Sequence, residues 1–320
     1  MTQAAGKTVL ITGANAGIGK DVARQLAQRD DVGRIYLACR NRSRAQAAQA
    51  ELETATGRSI FDIVVMDVSD PDSVRAALPA VDGLLDALVM NAGGSGGDSP
   101  LTLTKSGVTR IFAVNVLGHV VLLDALLAAD RLTEVAVYTG SEAARGIPKF
   151  RMKRPAFATT SADELAAVID GSYFEFRKPD PALAYGQAKY IGALWMASTA
   201  RQYPDQRFVT MSPGNTSGTG TLNDQPLPLR LAAKYVMPAL GLSHSLETGA
   251  GRLVDGITDP ALRSGVFYAS AASTITGPVV DQADSSPTSE ALRSRTTPTR
   301  PSTASSRPDR LMSTAVYRCR

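Results

Sequence analysis

The pair of side chains with the clearest chemical potential is a tyrosine followed four residues later by a lysine, in Tyr185-Gly-Gln-Ala-Lys189. Residues four apart share one face of a helix, so the lysine ammonium can come close to the tyrosine phenol. A nearby positive charge stabilises the phenolate and lowers the pKa of the phenol from its usual value of about 10. The spacing therefore predicts a group that can donate a proton near neutral pH. Both residue types are common enough for the spacing to arise by chance, so its meaning depends on the rest of the chain.

Two further polar residues stand where side chains can meet a ligand or a water. Ser141 follows a predicted strand, and ligands of open α/β sheets bind at the C-terminal ends of the strands. Asn115 lies within a predicted helix over 107–128, where asparagine is unfavourable. It is either structural, satisfying a neighbouring carbonyl, or it holds a chain of waters that leads to Lys189. His119 is predicted to be an ordinary helix residue rather than a base.

A glycine-rich turn between a strand and a helix predicts a dinucleotide site. The apolar run 7–12 ends in Gly13-Ala-Asn-Ala-Gly17-Ile-Gly19, and a helical pattern follows. Glycines let the backbone approach a pyrophosphate, and the N-terminus of a helix favours an anion. The alternative is a tight turn with capping glycines. The turn residues expected to contact the dinucleotide are Gly13, Asn15, Gly17, Ile18 and Gly19.

The residue after the second predicted strand, 34–39, indicates which cofactor is bound. An acidic residue there would bind the adenosine ribose of NAD, whereas positive charge suits the 2′-phosphate of NADP(H). This chain has Arg40 at that position and Lys20 just after the glycine turn. The sequence therefore predicts NADP(H), although Arg42 or Arg44 alternatively begins a solvated helix.

Three more predicted strands, 59–66, 85–90 and 208–211, end at the same edge of the sheet. Small residues there let the chain pass beneath a bound cofactor, and Asn91 can brace the strand ends. Asp67 either meets the adenine amino group or caps the next helix. The residues after the first two of these strands that we expect to line the cofactor are Asp67, Val68, Asn91, Ala92 and Gly93.

The order of the elements predicts the fold class. Strands and helices alternate from residue 7 to about 214, which predicts an α/β fold with a doubly wound parallel sheet of the Rossmann type. A strand near 266–268 brings the expected number to about seven, and 222–252 are predicted to form one or two helices. Residues 1–284 are predicted to form one dinucleotide-binding and catalytic domain. The tail 285–320 is rich in Ser, Thr, Pro and Arg, which predicts disorder or, alternatively, a frame-shifted reading of the gene.

Between Ser141 and Tyr185 the pattern loosens over 146–181. A long excursion between two strand-end sites is usually functional or disordered. The aromatic run Tyr173-Phe-Glu-Phe176 suits a lid over a bulky apolar substrate, with its rings buried. The basic residues at 149–154 belong either to a site for an acidic substrate or to a solvated surface flap.

Composition limits the classes of partner. A hydrophobic content of 44% and a charged content of 20% are those of an ordinary soluble protein. Seven arginines in the tail account for the basic pI, so a nucleic-acid partner is not expected. Two distant cysteines, Cys39 and Cys319, fit a reducing cytosol, and no apolar run approaches the ~18 residues of a membrane span. We therefore expect a cytoplasmic monomer or homodimer that acts on a small molecule, without a metal or a membrane segment.

Together these motifs resemble the short-chain dehydrogenase/reductase family over about residues 5–280. The signatures are, in chain order, Thr12-Gly13-x-x-x-Gly17-Ile18-Gly19, Asn91-Ala92-Gly93, Asn115, Ser141, Tyr185-x-x-x-Lys189 and Pro213-Gly214. The resemblance implies hydride transfer from NADPH to a carbonyl carbon.

The resemblance also implies a role for each residue. Ser141 donates a hydrogen bond to the carbonyl oxygen, and Tyr185 delivers the proton. Lys189 lowers the pKa of Tyr185 and holds the nicotinamide ribose, while Asn115 anchors a water that resupplies the proton. Thr216, or alternatively Thr219, meets the nicotinamide amide.

Within the family, Ile18-Gly-Lys20 and Tyr36-Leu-Ala-Cys-Arg40 are most similar to protochlorophyllide reductases, retinol dehydrogenases and carbonyl reductases with a long insertion. Protochlorophyllide reductases use a cysteine near the site, and this chain has none between residues 40 and 318. Membrane retinol dehydrogenases usually carry an apolar anchor, which is not predicted here. The main expectation is a soluble NADPH-dependent reductase of a bulky apolar, even polycyclic, ketone or aldehyde. The alternatives are a C=C reductase of the protochlorophyllide kind and a nucleotide sensor without turnover.

Overall fold

Eight strands form a single sheet in the described part of the chain. The structure, a computed structural model, describes residues 6–147, 154–155, 157, 159, 161–218, 242–271 and 274–282. The strands are β1 (Lys7–Thr12), β2 (Val32–Cys39), β3 (Phe61–Val65), β4 (Leu85–Met90), β5 (Leu132–Thr139), β6 (Arg207–Met211), β7 (Phe267–Ser270) and β8 (Val279–Asp281). Their order across the sheet is β3-β2-β1-β4-β5-β6-β7-β8. All neighbouring pairs are parallel except β7 and β8. The predicted doubly wound α/β sheet is therefore confirmed, with one strand more than expected.

Seven helices of the described chain follow or connect these strands. They are α1 (Gly17–Ala27), α2 (Arg42–Thr56), α3 (Pro71–Ala77), α4 (Arg110–Ala128), α5 (Ala162–Asp170), α6 (Pro181–Gln202) and α7 (Leu246–Thr258). Local chemistry sets several of the starts: Asn41 caps α2, and Asp180 caps α6 directly before a proline. Ser141 caps a short 3-10 helix, Glu142–Arg145, with its own side chain.

The strands are apolar on both faces because helices cover both sides of the sheet. One layer packs Leu10, Tyr36, Leu88 and Tyr138 against α3, α4 and α6. The other packs Val9, Ile11, Ile35 and Val137 against α1 and α7. Alternate residues of each strand thus enter opposite layers, and all the parallel strands present their C-terminal ends at one edge.

The eighth strand and one helix boundary differ from the sequence-based predictions. After the predicted turn at 275–278 the chain returns as β8, which is only three residues long and carries no recognisable alternation. The predicted helices at 222–252 are represented by α7, which runs beyond that range. Residues 219–241, the tail 285–320, Lys149, Arg151 and Lys153 lie outside the described residues.

Helix α4 is long and apolar enough to cross a membrane by length and composition, with a mean hydropathy of 2.1. In the protein it is a core helix, because 78% of that stretch is buried against the sheet and its neighbours.

Candidate active site

The chain changes direction across the sheet between β1 and β4, and ligands bind at such a switch point. Gly13 has a positive φ of 68°, and a Cβ on it would lie 3.0 Å from Cα of Ala92. A Cβ on Gly19 would lie 2.5 Å from both Asn91 Nδ2 and the Gly13 carbonyl oxygen. Larger side chains at these positions would therefore fill the space between the two strand ends. The residues of the glycine motif predicted from sequence lie together here, with Asn15 in the turn and Ile18 in the first turn of α1.

Thr12 joins the two sides of this switch point, a role that the sequence did not reveal beyond its place in the turn motif. Its hydroxyl oxygen accepts the backbone N–H groups of Asn91 and Ala92, both at 2.9 Å. The amide of Asn91 donates in return to the Thr12 carbonyl at 3.0 Å. Asn91 therefore braces the strand ends, as predicted.

His119 is a buried structural link rather than an ordinary helix residue or a base. Its Nε2 lies 3.0 Å from the Thr12 hydroxyl and its Nδ1 lies 3.2 Å from the Asn115 carbonyl. Because the Thr12 oxygen already accepts two N–H groups, its own proton points to Nε2, so we assign the other ring proton to Nδ1. Burial lowers the pKa of His119 to about 3, which keeps the ring neutral.

Asn115 occupies a π turn, Ala113–Leu117, inside α4, and such turns are frequent at functional sites. Its side-chain nitrogen donates to the carbonyls of Gly94 and Ile111, both at 2.8 Å. Its side-chain oxygen accepts the Gly94 N–H at 3.2 Å. The side chain thus braces the loop after β4, which agrees with the structural alternative.

Ser141, Tyr185 and Lys189 meet at the ends of β5 and α6. The Ser141 side chain lies close enough to the phenol of Tyr185 to lower its pKa, and its hydroxyl oxygen accepts the Ala143 N–H at 3.2 Å. The ammonium of Lys189 lies 5.8 Å from the ring centre of Tyr185 and donates to the Thr139 carbonyl at 2.9 Å. The structure therefore brings together the three residues that the sequence predicted from separate elements.

The electrostatics of this group differ from the expectation for a tyrosine beside a fixed positive charge. Burial raises the pKa of Tyr185, and the nearby carboxylate of Glu142 raises it further against the lowering by the Ser141 hydrogen bond. Burial also lowers the pKa of Lys189 from 10.5 to about 7. Removal from water thus dominates both groups, and Tyr185 is fully protonated at neutral pH.

Gly93 lies between the side chains of Asn115 and Lys189. A Cβ on Gly93 would lie 2.6 Å from the Asn115 side-chain oxygen and 3.4 Å from the Lys189 ammonium. A side chain at this position would collide with the Asn115 amide, so the close packing of the loop against Asn115 and Lys189 requires glycine.

The residues predicted for the adenosine end lie at the same edge of the sheet. Arg40 is exposed directly after β2, while Lys20 is in an ion pair with Glu51. Asp67 accepts the backbone and hydroxyl groups of Ser69 at 2.8 and 2.7 Å. Helix α3 is capped by Asp70, so of the two alternatives for Asp67 the structure excludes the helix cap. Val68, next to Asp67, is buried.

The loop after β6 carries the predicted Pro213, Gly214 and Thr216. Gly214 has a φ of 74° and donates its N–H to the Ser212 hydroxyl at 3.2 Å. The Thr216 hydroxyl donates to the Pro213 carbonyl at 3.0 Å. The competing Thr219 lies outside the described residues.

An apolar wall stands beside Tyr185 on the side of the predicted lid. It is formed by Ile111, Phe174 and Ala184, against which Leu101, Tyr173, Leu183 and Tyr185 pack. Phe174 is 7% exposed, as predicted for an aromatic of this segment, whereas Phe176 is 92% exposed. The prediction that the aromatics are buried is therefore wrong for Phe176, which follows the short helical turn Ser172–Phe174 and points away from the packing.

The largest feature missed by sequence reasoning is a buried ion pair behind Ser141, between Glu142 and Arg252. Arg252 lies 110 positions later in a different helix, and nothing local pairs the two. The one available signal was a glutamate directly after Ser141 in an otherwise apolar stretch. Among the described residues, no cluster of His, Cys, Asp or Glu could hold a metal ion.

Comparisons with known proteins agree with this geometry. A family model described as short chain dehydrogenase matches residues 7–148. Retinol dehydrogenase 11 of Homo sapiens is 39% identical over 137 residues, which is 42% of this chain and 41% of that protein. The chain thus spans about two fifths of the length of this relative. Protochlorophyllide reductase B, chloroplastic, of Oryza sativa subsp. japonica is 29% identical over 284 residues, 82% of this chain and 68% of that protein.

A solved structure extends the likeness over most of the fold. A short chain dehydrogenase from Burkholderia cenocepacia, in complex with NADP, is 25% identical with a TM-score of 0.54. The match covers 78% of this chain and 90% of that one. The glycine cradle, formed by Gly13, Gly17 and Gly19 at the start of α1, fits a dinucleotide, because glycines there let the backbone come close to a pyrophosphate at the N-terminus of the helix.

Proposed function

We propose that this chain is an oxidoreductase of the short-chain dehydrogenase/reductase kind, which its similarity to such proteins supports, and that it uses NADPH to reduce bulky apolar ketones or aldehydes. The observation that carries the proposal is the group of Ser141, Tyr185 and Lys189 at the strand edge, beside the glycine cradle.

Each side chain of this group has a separate role in the reduction of the substrate. The Ser141 hydroxyl donates a hydrogen bond where negative charge develops on the carbonyl oxygen. Tyr185, protonated at neutral pH, gives its proton to that oxygen. Lys189, with a pKa of about 7, can hold or release a proton near Tyr185. A reduced nicotinamide, when bound, supplies the hydride.

The cradle and the loop residues would hold the dinucleotide. Gly13, Gly17 and Gly19 admit the pyrophosphate at the start of α1, and Asp67 would meet the adenine. Asn115 and Asn91 keep the loops after β4 and β1 in place, so that Gly93 packs closely beside Lys189. Pro213, Gly214 and Thr216 would line the nicotinamide side.

Reduction of a bulky substrate is supported by the apolar wall beside Tyr185. Ile111 and Phe174 are buried there, and Tyr173 packs against them. A panel of ketones and aldehydes of increasing size, followed by the loss of NADPH absorbance, tests the proposal. We expect the highest kcat/KM for polycyclic or long-chain apolar carbonyls, and lower values for short polar ones. If the chain turns over none of them but binds NADPH, a nucleotide-sensing role replaces this one.

Preference for NADP(H) is supported by Arg40, which is exposed at the end of β2 where no acid stands. We expect Arg40→Ala to weaken NADPH binding about tenfold, since one exposed charge-assisted contact to the 2′-phosphate is lost. NADH binding should change by less than about twofold. Titration of both cofactors into both proteins measures this. Arg44→Ala, one helical turn further on, is the matched control, and tighter binding of NADH than NADPH by the unmutated chain would contradict the preference.

A C=C reductase is the second candidate, favoured by the similarity to protochlorophyllide reductase B over 82% of this chain. Product identification with a porphyrin-like substrate separates the two candidates. A reduced ring bond indicates the C=C reductase, and an alcohol indicates the carbonyl reductase.

We also propose that the protein is a cytoplasmic monomer or homodimer that works without a nucleic-acid or membrane partner.

A further inference from the structure

A buried ion pair that no step of the proposed reaction uses lies directly behind Ser141. Glu142 and Arg252 are only 4% and 5% exposed, and Arg252 Nη1 lies 3.9 Å from Glu142 Oε1. Burying two charges costs several kcal/mol unless further hydrogen bonds satisfy them, and an apolar pair would often be as stable. The contacts around the pair therefore indicate what it does.

Both charges hold the same loop, the segment 212–214 after β6. The Ser212 hydroxyl donates to Glu142 Oε2 at 2.5 Å and accepts the Gly214 N–H at 3.2 Å. Arg252 Nη1 donates to the Ser212 carbonyl at 3.3 Å. A side chain on Gly214 would collide with Arg252, because its Cβ would lie 2.7 Å from Nη1. The loop is thus clamped on both sides.

The guanidinium of Arg252 also reaches the segment that runs beside Thr216. Its Nη2 lies 2.7 Å from His244 Nε2, and since arginine has no acceptor, the histidine nitrogen accepts. His244 in turn donates its backbone N–H to the Asn215 carbonyl at 2.7 Å and accepts the Ser217 N–H at 3.0 Å. Residues 212–217 are therefore fixed from Arg252 at one end and through His244 at the other.

We propose that Glu142 and Arg252 are a pair of positioning residues that locks the loop 212–216 against Ser141 and so prepares the nicotinamide side of the site before the cofactor binds. The inference rests on the proposed function. Neither residue touches the reacting atoms; each acts through Ser212, Gly214 and Ser141. Preorganisation of this kind saves the ordering cost that binding would otherwise carry.

The pair also controls the charge that Tyr185 experiences. The titratable groups facing Tyr185 in the described chain are Glu142 on the 3-10 helix, Tyr138 on β5 and Lys189 on α6. The carboxylate of Glu142 raises the pKa of Tyr185, and Arg252 offsets that charge. Removing Arg252 leaves Arg145 as a cationic neighbour of the carboxylate, so the negative charge near Tyr185 is less well balanced. Removing the charge of Glu142 leaves Arg252 as a cation without its carboxylate.

We expect Arg252→Met to weaken NADPH binding about tenfold, equivalent to about 1.4 kcal/mol, as measured by equilibrium titration of NADPH fluorescence.

Reduction needs protonated Tyr185, so kcat falls as pH rises through the pKa of this phenol. The alkaline limb of kcat should move to higher pH in Arg252→Met and to lower pH in Glu142→Gln. The double variant should restore the pH of the alkaline limb of kcat but not the affinity for NADPH. Arg252→Lys should likewise restore only the alkaline limb, because its single ammonium cannot reach both loop segments.

Arg207→Met is the matched control. Arg207 holds the end of the same helix α7 through the carbonyls of Gly256, Ile257 and Asp259, so its loss should lower the melting temperature without changing NADPH affinity or the alkaline limb. If Arg252→Met behaves like Arg207→Met, the pair is merely structural and the inference is wrong. If Arg252→Met does not fold, Glu142→Gln, which keeps the shape of the side chain, is measured instead. If the alkaline limb of its kcat–pH profile does not move to lower pH, the inference is wrong. Failure of the unmutated chain to bind NADPH overturns the proposed function together with this inference, whereas unchanged affinity and limb in the variants overturn this inference alone.

Discussion

Replacing Tyr185 with phenylalanine is expected to lower kcat for carbonyl reduction about 10³-fold, the scale of losing a positioned general acid. The phenol lies beside the Ser141 side chain, and burial keeps it protonated at neutral pH by raising its pKa. Phenylalanine keeps the ring and its place in the apolar wall but has no proton to give. Steady-state kinetics on the best substrate of the ketone panel measure the loss.

The same variant should bind NADPH within about twofold of the unmutated chain, because the glycine cradle and Lys189 are untouched. Tyr190→Phe is the matched control on the same helix. Its ring stacks on Phe157 at 5.5 Å, away from Ser141, so loss of that hydroxyl should leave kcat unchanged. Retention of most of the activity by Tyr185→Phe would mean that another group donates the proton and would remove the basis of the proposed mechanism.

The sequence predicted well what depends on local pattern. The apolar runs of β1, β4 and β5 and the glycines of the first turn each have a local signature, and their common edge follows from the parallel topology. The proximity of Ser141, Tyr185 and Lys189 could therefore be predicted from the sequence. The short β8 could not, since three residues pairing antiparallel with β7 carry no periodic signal.

What the sequence could not predict is the result of long-range packing. The Glu142–Arg252 pair joins the residue after Ser141 to a helix more than a hundred residues later. Which ring nitrogen of His119 carries the proton depends on a hydroxyl of β1 whose acceptor sites are already occupied. The pKa of Tyr185 was predicted to fall from its spacing to Lys189, but burial of both side chains reverses the direction. Spacing along a helix reports proximity, whereas desolvation depends on everything that covers the pair.

Replacing Lys189 with methionine should abolish most of the reductase activity and at the same time make the protein more stable at neutral pH. Lys189 is 3% exposed, and burial lowers the pKa of its ammonium from 10.5 to about 7. Between these two values the unfolded chain holds a proton that the folded chain has largely released, so this lysine destabilises the fold most at pH 7 and below, and the cost disappears as pH rises towards 10.5. The shift corresponds to at most about 5 kcal/mol. Methionine also leaves the Thr139 carbonyl without the bond from Lys189, which costs about 1–3 kcal/mol.

We therefore expect Lys189→Met to raise the free energy of unfolding by about 2 kcal/mol at pH 7 and by nearly zero at pH 9.5, as measured by urea unfolding. Lys7→Met is the control, because the exposed ion pair of Lys7 with Glu134 contributes little and should show no such dependence on pH. A lysine that is kept against the stability of its own fold is held there for its chemistry. Lower stability of Lys189→Met at pH 7 would show instead that the ammonium is part of the packing, and the reason to assign it a place in proton transfer would then be lost.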